Sequence, residues 1–254
     1  MDRIEYSDKV RKELFRNMEL SENQKDPEFY DTMNRFLYGE VWKHGNLDKK
    51  LREMITIVVL TTNQTMDQCR EHIEVALNIG ITPVEIKEIL YQCTPYIGFA
   101  RVQNALLETN KVFTERGISM PVEKQSTTTE DTRLEKGITV QKKIFGEEHV
   151  DTMRANAPKN LKHIQNYLSA MCFGDFYTRS GLELKTRELL TLCVISALGG
   201  CENQLRAHIQ GNLNVGNDKD TLINVITQCM PYIGFPRTLN ALNCVNEIVQ
   251  KNNK

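Results

Sequence analysis

Residues 92–99 read QCTPYIGF and residues 228–235 read QCMPYIGF, an offset of 136 that holds without a gap from His72/His208 to Asn110/Asn246. Those 39 paired positions contain 17 identities. Upstream the offset is 135: Glu53 pairs with Glu188, and Tyr38-Gly39-Glu40-Val41-Trp42 with Phe173-Gly174-Asp175-Phe176-Tyr177. One residue, at Gly199-Gly200, has been added between these blocks in the second half. Self-similarity at a long period means that one structural unit has been used twice. The 254 residues are therefore two copies of a module of about 110 residues, well inside the size range of a single domain.

The boundary lies at residues 118–133, ISMPVEKQSTTTEDTR, which are polar, contain Pro121 and three consecutive threonines, and show no apolar period. Such a composition offers too little apolar surface to offset the entropy of ordering and reads as a linker. The expected division is a first repeat at 1–117, a linker at 118–133 and a second repeat at 134–254.

Within each half the period is helical. The stretch from Arg187 to Leu198 is apolar nearly all round, as is Arg52 to Leu60. Helices of that kind are covered on several sides, in a large core or between subunits. Gly199-Gly200 supplies a break, and Cys201 to Leu213 is an amphipathic helix ending at Asn214-Val215-Gly216, with a twin ending at Asn78-Ile79-Gly80. Thr82-Pro83-Val84-Glu85 reads as a capping box with proline at the first helical position, and Asp218 to Cys229 is its second-half equivalent. Pro95 and Pro231 are expected to interrupt the next helix ahead of Gly98 and Gly234, with a final helix from near Phe99 or Phe235. No run has the period of a strand. The fold class is all-α.

Charge and composition narrow the function. Thirty-two basic residues against thirty-three acidic leave a net charge of −1, without the basic excess of a nucleic-acid-binding domain. The most apolar short run, Met54 to Leu60, falls far below the roughly 20 residues of a membrane helix, and no signal segment opens the chain. The expectation is a cytoplasmic protein whose partners are neither nucleic acid nor membrane. Seven cysteines without any C-x-x-C pair argue against a disulfide framework, a zinc knuckle and a two-cysteine redox motif. No cofactor and no metal are expected, and most of these thiols read as small buried hydrophobes.

Cys201, Gln204 and His208 stand at i, i+3 and i+7, on one face of a helix. An imidazole held there can activate the thiol or shuttle a proton. Glu188, on the preceding helix, comes beside that face if the two form an antiparallel hairpin, and can orient the histidine or relay its proton. The same residues are also those of a purely structural face: a small residue at a helix start, a satisfied core histidine and a capping carboxylate. The first half keeps Glu53, Gln68 and His72 but has Thr65 where the second has Cys201, and Cys69 points partly off the stripe. It reads as a degenerate structural copy, or as a site that binds without thiol chemistry. Arg101/Arg237 and Arg70/Arg206 recur, each as a clamp for a substrate carboxylate or as an ion pair between helices or subunits. Cys93 and Cys229 recur as buried thiols or as a resolving partner for Cys201. Trp42 and Tyr177 read as core.

The order Arg-Glu-Leu-Leu, an apolar helix, Gly-Gly-Cys-Glu-Asn-Gln-Leu-Arg-Ala-His, Asn-Val-Gly and Gln-Cys-x-Pro-Tyr-Ile-Gly-Phe-Pro-Arg-x-Leu-Asn-Ala-Leu resembles the carboxymuconolactone decarboxylase family, which includes the alkylhydroperoxidase D-like proteins. Gly137-Ile138-Thr139-Val140 through Phe145-Gly146, Ala155-Asn156 and Cys172 to Tyr177 are similar to the amino-terminal part of the decarboxylase proper. The resemblance covers nearly all of 135–250 and, more weakly, 30–115. It implies a tandem duplication of an alkylhydroperoxidase D-like helical domain and a homo-oligomer, a trimer of tandem units. It also implies that Glu188, Cys201 and His208 match the family's Glu…Cys…His relay.

Two departures bear on the chemistry. Gln204 stands where peroxidase-type members carry a second cysteine, so peroxide chemistry here would need another thiol to resolve a sulfenic acid. In the decarboxylases proper the Cys201 position is not characteristically cysteine. The expected function is that of a lyase on a small carboxylated lactone, with Cys201, His208 and Glu188 catalytic and Gln204, Arg206 and Arg237 binding the substrate. The alternatives are a single-cysteine thiol peroxidase or disulfide reductase, and a non-catalytic oligomeric binding protein.

Overall fold

Two helices without a polar face organise the molecule. In the computed structural model, which describes residues 1–16 and 25–252, these are α3 (Lys49–Asn63) and α10 (Leu184–Leu198). Ile55, Ile57, Val58 and Val59 of α3 and Leu190, Leu192, Cys193 and Val194 of α10 are completely buried. Four near-consecutive buried positions point in all directions around a helix, so each helix needs cover on every side. That cover comes from within the chain, because α3 and α10 pack on each other and on helices of both halves. Their burial therefore marks a shared core.

In the first half the cover is α4 (Met66–Asn78), α5 (Pro83–Ile97) and α6 (Phe99–Glu115). In the second it is α11 (Glu202–Asn214) and α12 (Lys219–Asn252), the latter bent at Gly234 with φ 76°. The capping box at Thr82 and Glu85 forms as the sequence suggests. The expected break at the prolines does not. α5 runs through Pro95 to Ile97 and the chain turns at Gly98, φ 83°. A proline in the last turn removes one hydrogen bond from a helix about to end, whereas a positive φ is open mainly to glycine.

The repeat extends further toward the amino terminus than the sequence comparison suggested. α1 (Arg3–Phe15) and α7 (Arg133–Phe145) are equivalent helices of 13 residues each. α2 (Pro27–Leu37) and a short 3-10 turn at Val41–Lys43 follow α1. After α7 come α8 (Glu147–Ala155) and α9 (Lys162–Tyr167), which continues as a π-helical stretch, Leu168–Tyr177. Arg3 pairs with Glu40 as Arg133 pairs with Asp175. A Cβ at Gly39 would lie 2.2 Å from the Arg3 carbonyl oxygen, and one at Gly174 2.1 Å from that of Arg133. The glycine of both motifs is thus required by the close approach of α1 and α7.

The connecting residues 118–129 form no helix, but they are docked. Thr127 Oγ1 donates to the Thr178 carbonyl (2.8 Å), Thr128 Oγ1 to that of Gly174 (3.2 Å), and Gln125 O accepts from Ser180 N (3.0 Å). The polar side chains that made this segment look unordered are the ones that fasten it to the second half. Among the described residues no helix is long and apolar enough to cross a membrane.

Candidate active site

The turn through Gly199 (φ 69°) and Gly200 (φ 68°) folds α11 back along α10. This brings His208, 8% exposed, to Glu188, fully buried in mid-α10. His208 Nδ1 and Glu188 Oε2 are 3.0 Å apart. The other carboxylate oxygen accepts from the Tyr177 hydroxyl at 2.7 Å. That hydroxyl also lies 2.7 Å from Tyr96 and 2.7 Å from Thr191. Asn212 ties the two helices together by donating to the Glu188 and His208 carbonyls at 3.0 and 2.8 Å. Burial, reinforced by the charge on Glu188, pushes the Tyr177 phenol well above its usual pKa and keeps it a neutral donor. The edges of Tyr96 and Phe145 flank the imidazole, with centroids 5.6 and 5.3 Å away.

Tyr96 belongs to the first half, and the exchange is reciprocal. Glu53 and His72 form the equivalent buried pair, Nδ1 to Oε1 at 2.5 Å. Its imidazole is flanked by Phe15 (6.0 Å) and by Tyr232 of the second half (6.2 Å). Arg187 Nη1 donates to Gln92 at 3.0 Å and Arg52 Nη1 to Gln228 at 2.8 Å, again each across the halves. Burial opposes charge on His72, but the field of Glu53 and their hydrogen bond outweigh it, so its pKa lies above the ordinary histidine value. Beside the carboxylate, Trp42 stands in the place of Tyr177, which removes the hydroxyl donor.

The remaining expected site residues stand apart from these pairs. Cys201 is the N-cap of α11, and of the seven cysteines it alone is not buried. It lines a cleft of about 10 Å³ with Ser196, Gly199, Leu205 and Arg237, room for about one water. It lies seven positions before His208, about 10 Å along the axis, and among the described residues the two share no hydrogen bond. Gln204 and Gln68 are exposed. Arg206 is committed to Glu247 (2.7 Å) and Arg70 to Glu115. Arg237 Nη1 donates to the Ala197 carbonyl at 2.6 Å. Cys93 and Cys229 are fully buried. Tyr96, Tyr177, Thr191 and Phe145, which the spacing argument did not select, complete the cluster. The signal for Tyr96 was present in the repeated Pro-Tyr-Ile-Gly-Phe motif. No group of three or more His, Cys, Asp or Glu among the described residues is arranged to hold a metal ion.

Comparison with known proteins adds an independent line. The model of the carboxymuconolactone decarboxylase family matches residues 27–111 and again 162–247. The 4-carboxymuconolactone decarboxylase of Acinetobacter baylyi is 33% identical over 119 residues, 47% of this chain and 88% of its own length. Nitrosuccinic acid decarboxylase of Metarhizium robertsii is 27% identical over 122 residues, 46% of this chain and 85% of its own. An uncharacterised 15.0 kDa protein of Paracoccus denitrificans is 34% identical over 102 residues, 40% of this chain and 75% of its own.

Proposed function

The chain belongs to the carboxymuconolactone decarboxylase family, and on that footing we propose that its second half is an acid–base lyase site for a small carboxylated lactone. The observation that carries this reading is the buried Glu188–His208 hydrogen bond, held in place by Tyr177. Two relatives named as decarboxylases support the reaction class. Loss of CO₂ moves the electron pair of the broken C–C bond onto a conjugated carbonyl, so the site must hold an enolate and then return a proton to carbon. Glu188 engages Nδ1, fixes the tautomer and balances the charge on the imidazole, which leaves Nε2 as the proton donor. Arg206 is paired to Glu247 and Arg237 to the Ala197 carbonyl, both apart from the Glu188–His208 pair, so neither is assigned as the carboxylate anchor. In this reading Cys201 and Gln204 do not react.

The test is CO₂ release from 4-carboxymuconolactone by the full chain. Wild type should turn it over, and Glu188→Gln should slow it by about 10²-fold or more. No turnover by wild type overturns the reading. A second reading rests on Cys201 being the one cysteine not buried, at a helix N-terminus beside Arg237. Its thiolate would attack an organic hydroperoxide, leaving a sulfenic acid and an alcohol, and an external thiol would have to reduce it. Turnover of hydroperoxide that is lost in Cys201→Ser would favour it. Phe99 and Phe235 occupy equivalent positions and are each 60% exposed. They are the face through which we expect tandem units to form a trimer, a mass that sedimentation equilibrium reads directly.

A further inference from the structure

Seven buried side-chain atoms among the described residues have no hydrogen-bond partner, and four of them belong to one place: Arg11 Nε, Trp42 Nε1, Glu53 Oε2 and the Tyr232 hydroxyl. Tyr38 gathers them. Its ring lies 6.2 Å from Trp42 and 5.8 Å from Phe15, the residue that flanks His72. Its buried phenol stands in the fields of Tyr232, Glu53 and Arg11. In the second half the equivalent residues have partners. Tyr177 bonds Glu188 and Tyr96, and Gln141, which replaces Arg11, accepts from Ser169 at 2.8 Å. The difference follows from two positions, Trp42 for Tyr177 and Arg11 for Gln141.

These four atoms have a specific complement. Glu53 Oε2 accepts, Tyr232 both donates and accepts, and the Trp42 and Arg11 N–H groups donate. A hydroxyl placed between Glu53 and Tyr232 satisfies both, while a carboxylate satisfies the indole and the guanidinium. Beside this cluster runs a groove of about 580 Å³ that includes Trp42 and the neighbours of Arg11 on α1, Val10 and Leu14. Lys9, Lys43, Lys49 and Lys50 on its rim outnumber Glu13 and Asp48, a balance that draws in anions.

We infer that the first half is a second ligand site, built around Glu53 and Trp42, for a small hydroxycarboxylate. This goes beyond the lyase reading, since it concerns binding and not turnover, and of the two alternatives the sequence left for this half it takes binding without thiol chemistry.

The test is calorimetric titration of the full chain with L-malate, and with succinate as the control that lacks the hydroxyl. Malate should saturate one site, with succinate about tenfold weaker or worse, as expected for one lost hydrogen bond to a charged group. Trp42→Tyr, which supplies the hydroxyl found in the second half, and Glu53→Gln should each weaken malate by about tenfold or more. His208→Ala should leave it unchanged. In the wild-type protein malate should move the imidazole nitrogen resonances of His72 and not those of His208, a readout that needs no variant to fold. Absence of saturable malate binding, equal affinity for succinate, or loss in His208→Ala in place of Glu53→Gln overturns the inference.

Discussion

Glu188 and Glu53 occupy equivalent positions on equivalent helices, yet Glu188 accepts from both His208 and Tyr177 whereas Glu53 accepts from His72 alone. The flanking rings correspond, a phenylalanine on one side of each imidazole and a tyrosine from the opposite half on the other. One aromatic exchange, Tyr177 for Trp42, decides whether a buried carboxylate is saturated from within or left with a free oxygen. Duplication has thus preserved the buried Glu–His pair and varied what surrounds it.

The two halves differ most at their buried arginines, since Arg187 has a carboxylate partner and Arg52, 3% exposed, has none among the described residues. Glu88, 1% exposed, holds the fully buried Arg187 at 2.8 Å. Its counterpart Asn224 makes only a 3.4 Å contact with Asn46. Glu88→Ala takes the carboxylate from that guanidinium and from Arg179, 2.7 Å away on its other oxygen, and should cost about 3–5 kcal/mol in urea unfolding. Asn224→Ala should stay within about 0.5 kcal/mol. Equal costs would mean that the inter-half ion pair is not held as described.

Tyr177→Phe sharpens the contrast at the sites themselves. It removes the donor to Glu188 and the links to Tyr96 and Thr191, and should cost about 1–3 kcal/mol while lowering kcat more than it raises KM. The equivalent Trp42→Phe removes no protein hydrogen bond and should leave CO₂ release unchanged. A smaller effect is set by pH at His72. The folded-state pKa of His72 is raised above 6.5, so its stabilisation is complete below the unfolded value and lost as pH rises through the folded value. His72→Gln should flatten the decline of unfolding free energy above neutrality. If the slope is unchanged, the Glu53–His72 pair does not carry charge. Least of all, Arg206→Ala and Arg70→Ala should each shift stability by no more than about 1 kcal/mol, since both ion pairs lie at the surface.

Much of this was legible in the sequence, for reasons tied to particular residues. The Glu188–His208 pairing could be read because a Gly-Gly break between two helical stretches implies a hairpin, and a hairpin brings such residues together. The extra residue in that break leaves the pairing intact because Gly199 and Gly200, both at positive φ, absorb it in the turn. The place of Tyr96 could not be read, since spacing within one half says nothing about which half a helix packs against. The equivalence of α1 and α7 was obscured because Arg3–Phe15 and Arg133–Phe145 share only Arg, Glu, Val, Lys and Phe at matching positions. The connections that follow those two helices also differ. Cys201 was placed on the histidine's stripe by counting, but with φ −121° and ψ 35° it precedes the helix whose periodicity the count assumed.

Proton transfer by the Glu188–His208 pair, and not thiol chemistry, is the work we propose for the second half. CO₂ release from 4-carboxymuconolactone, measured side by side in His208→Gln and Cys201→Ser, separates the two. His208→Gln should lose about 10²–10⁴-fold in kcat, with Cys201→Ser retaining most of the wild-type rate. Activity that survives in His208→Gln and vanishes in Cys201→Ser would contradict it.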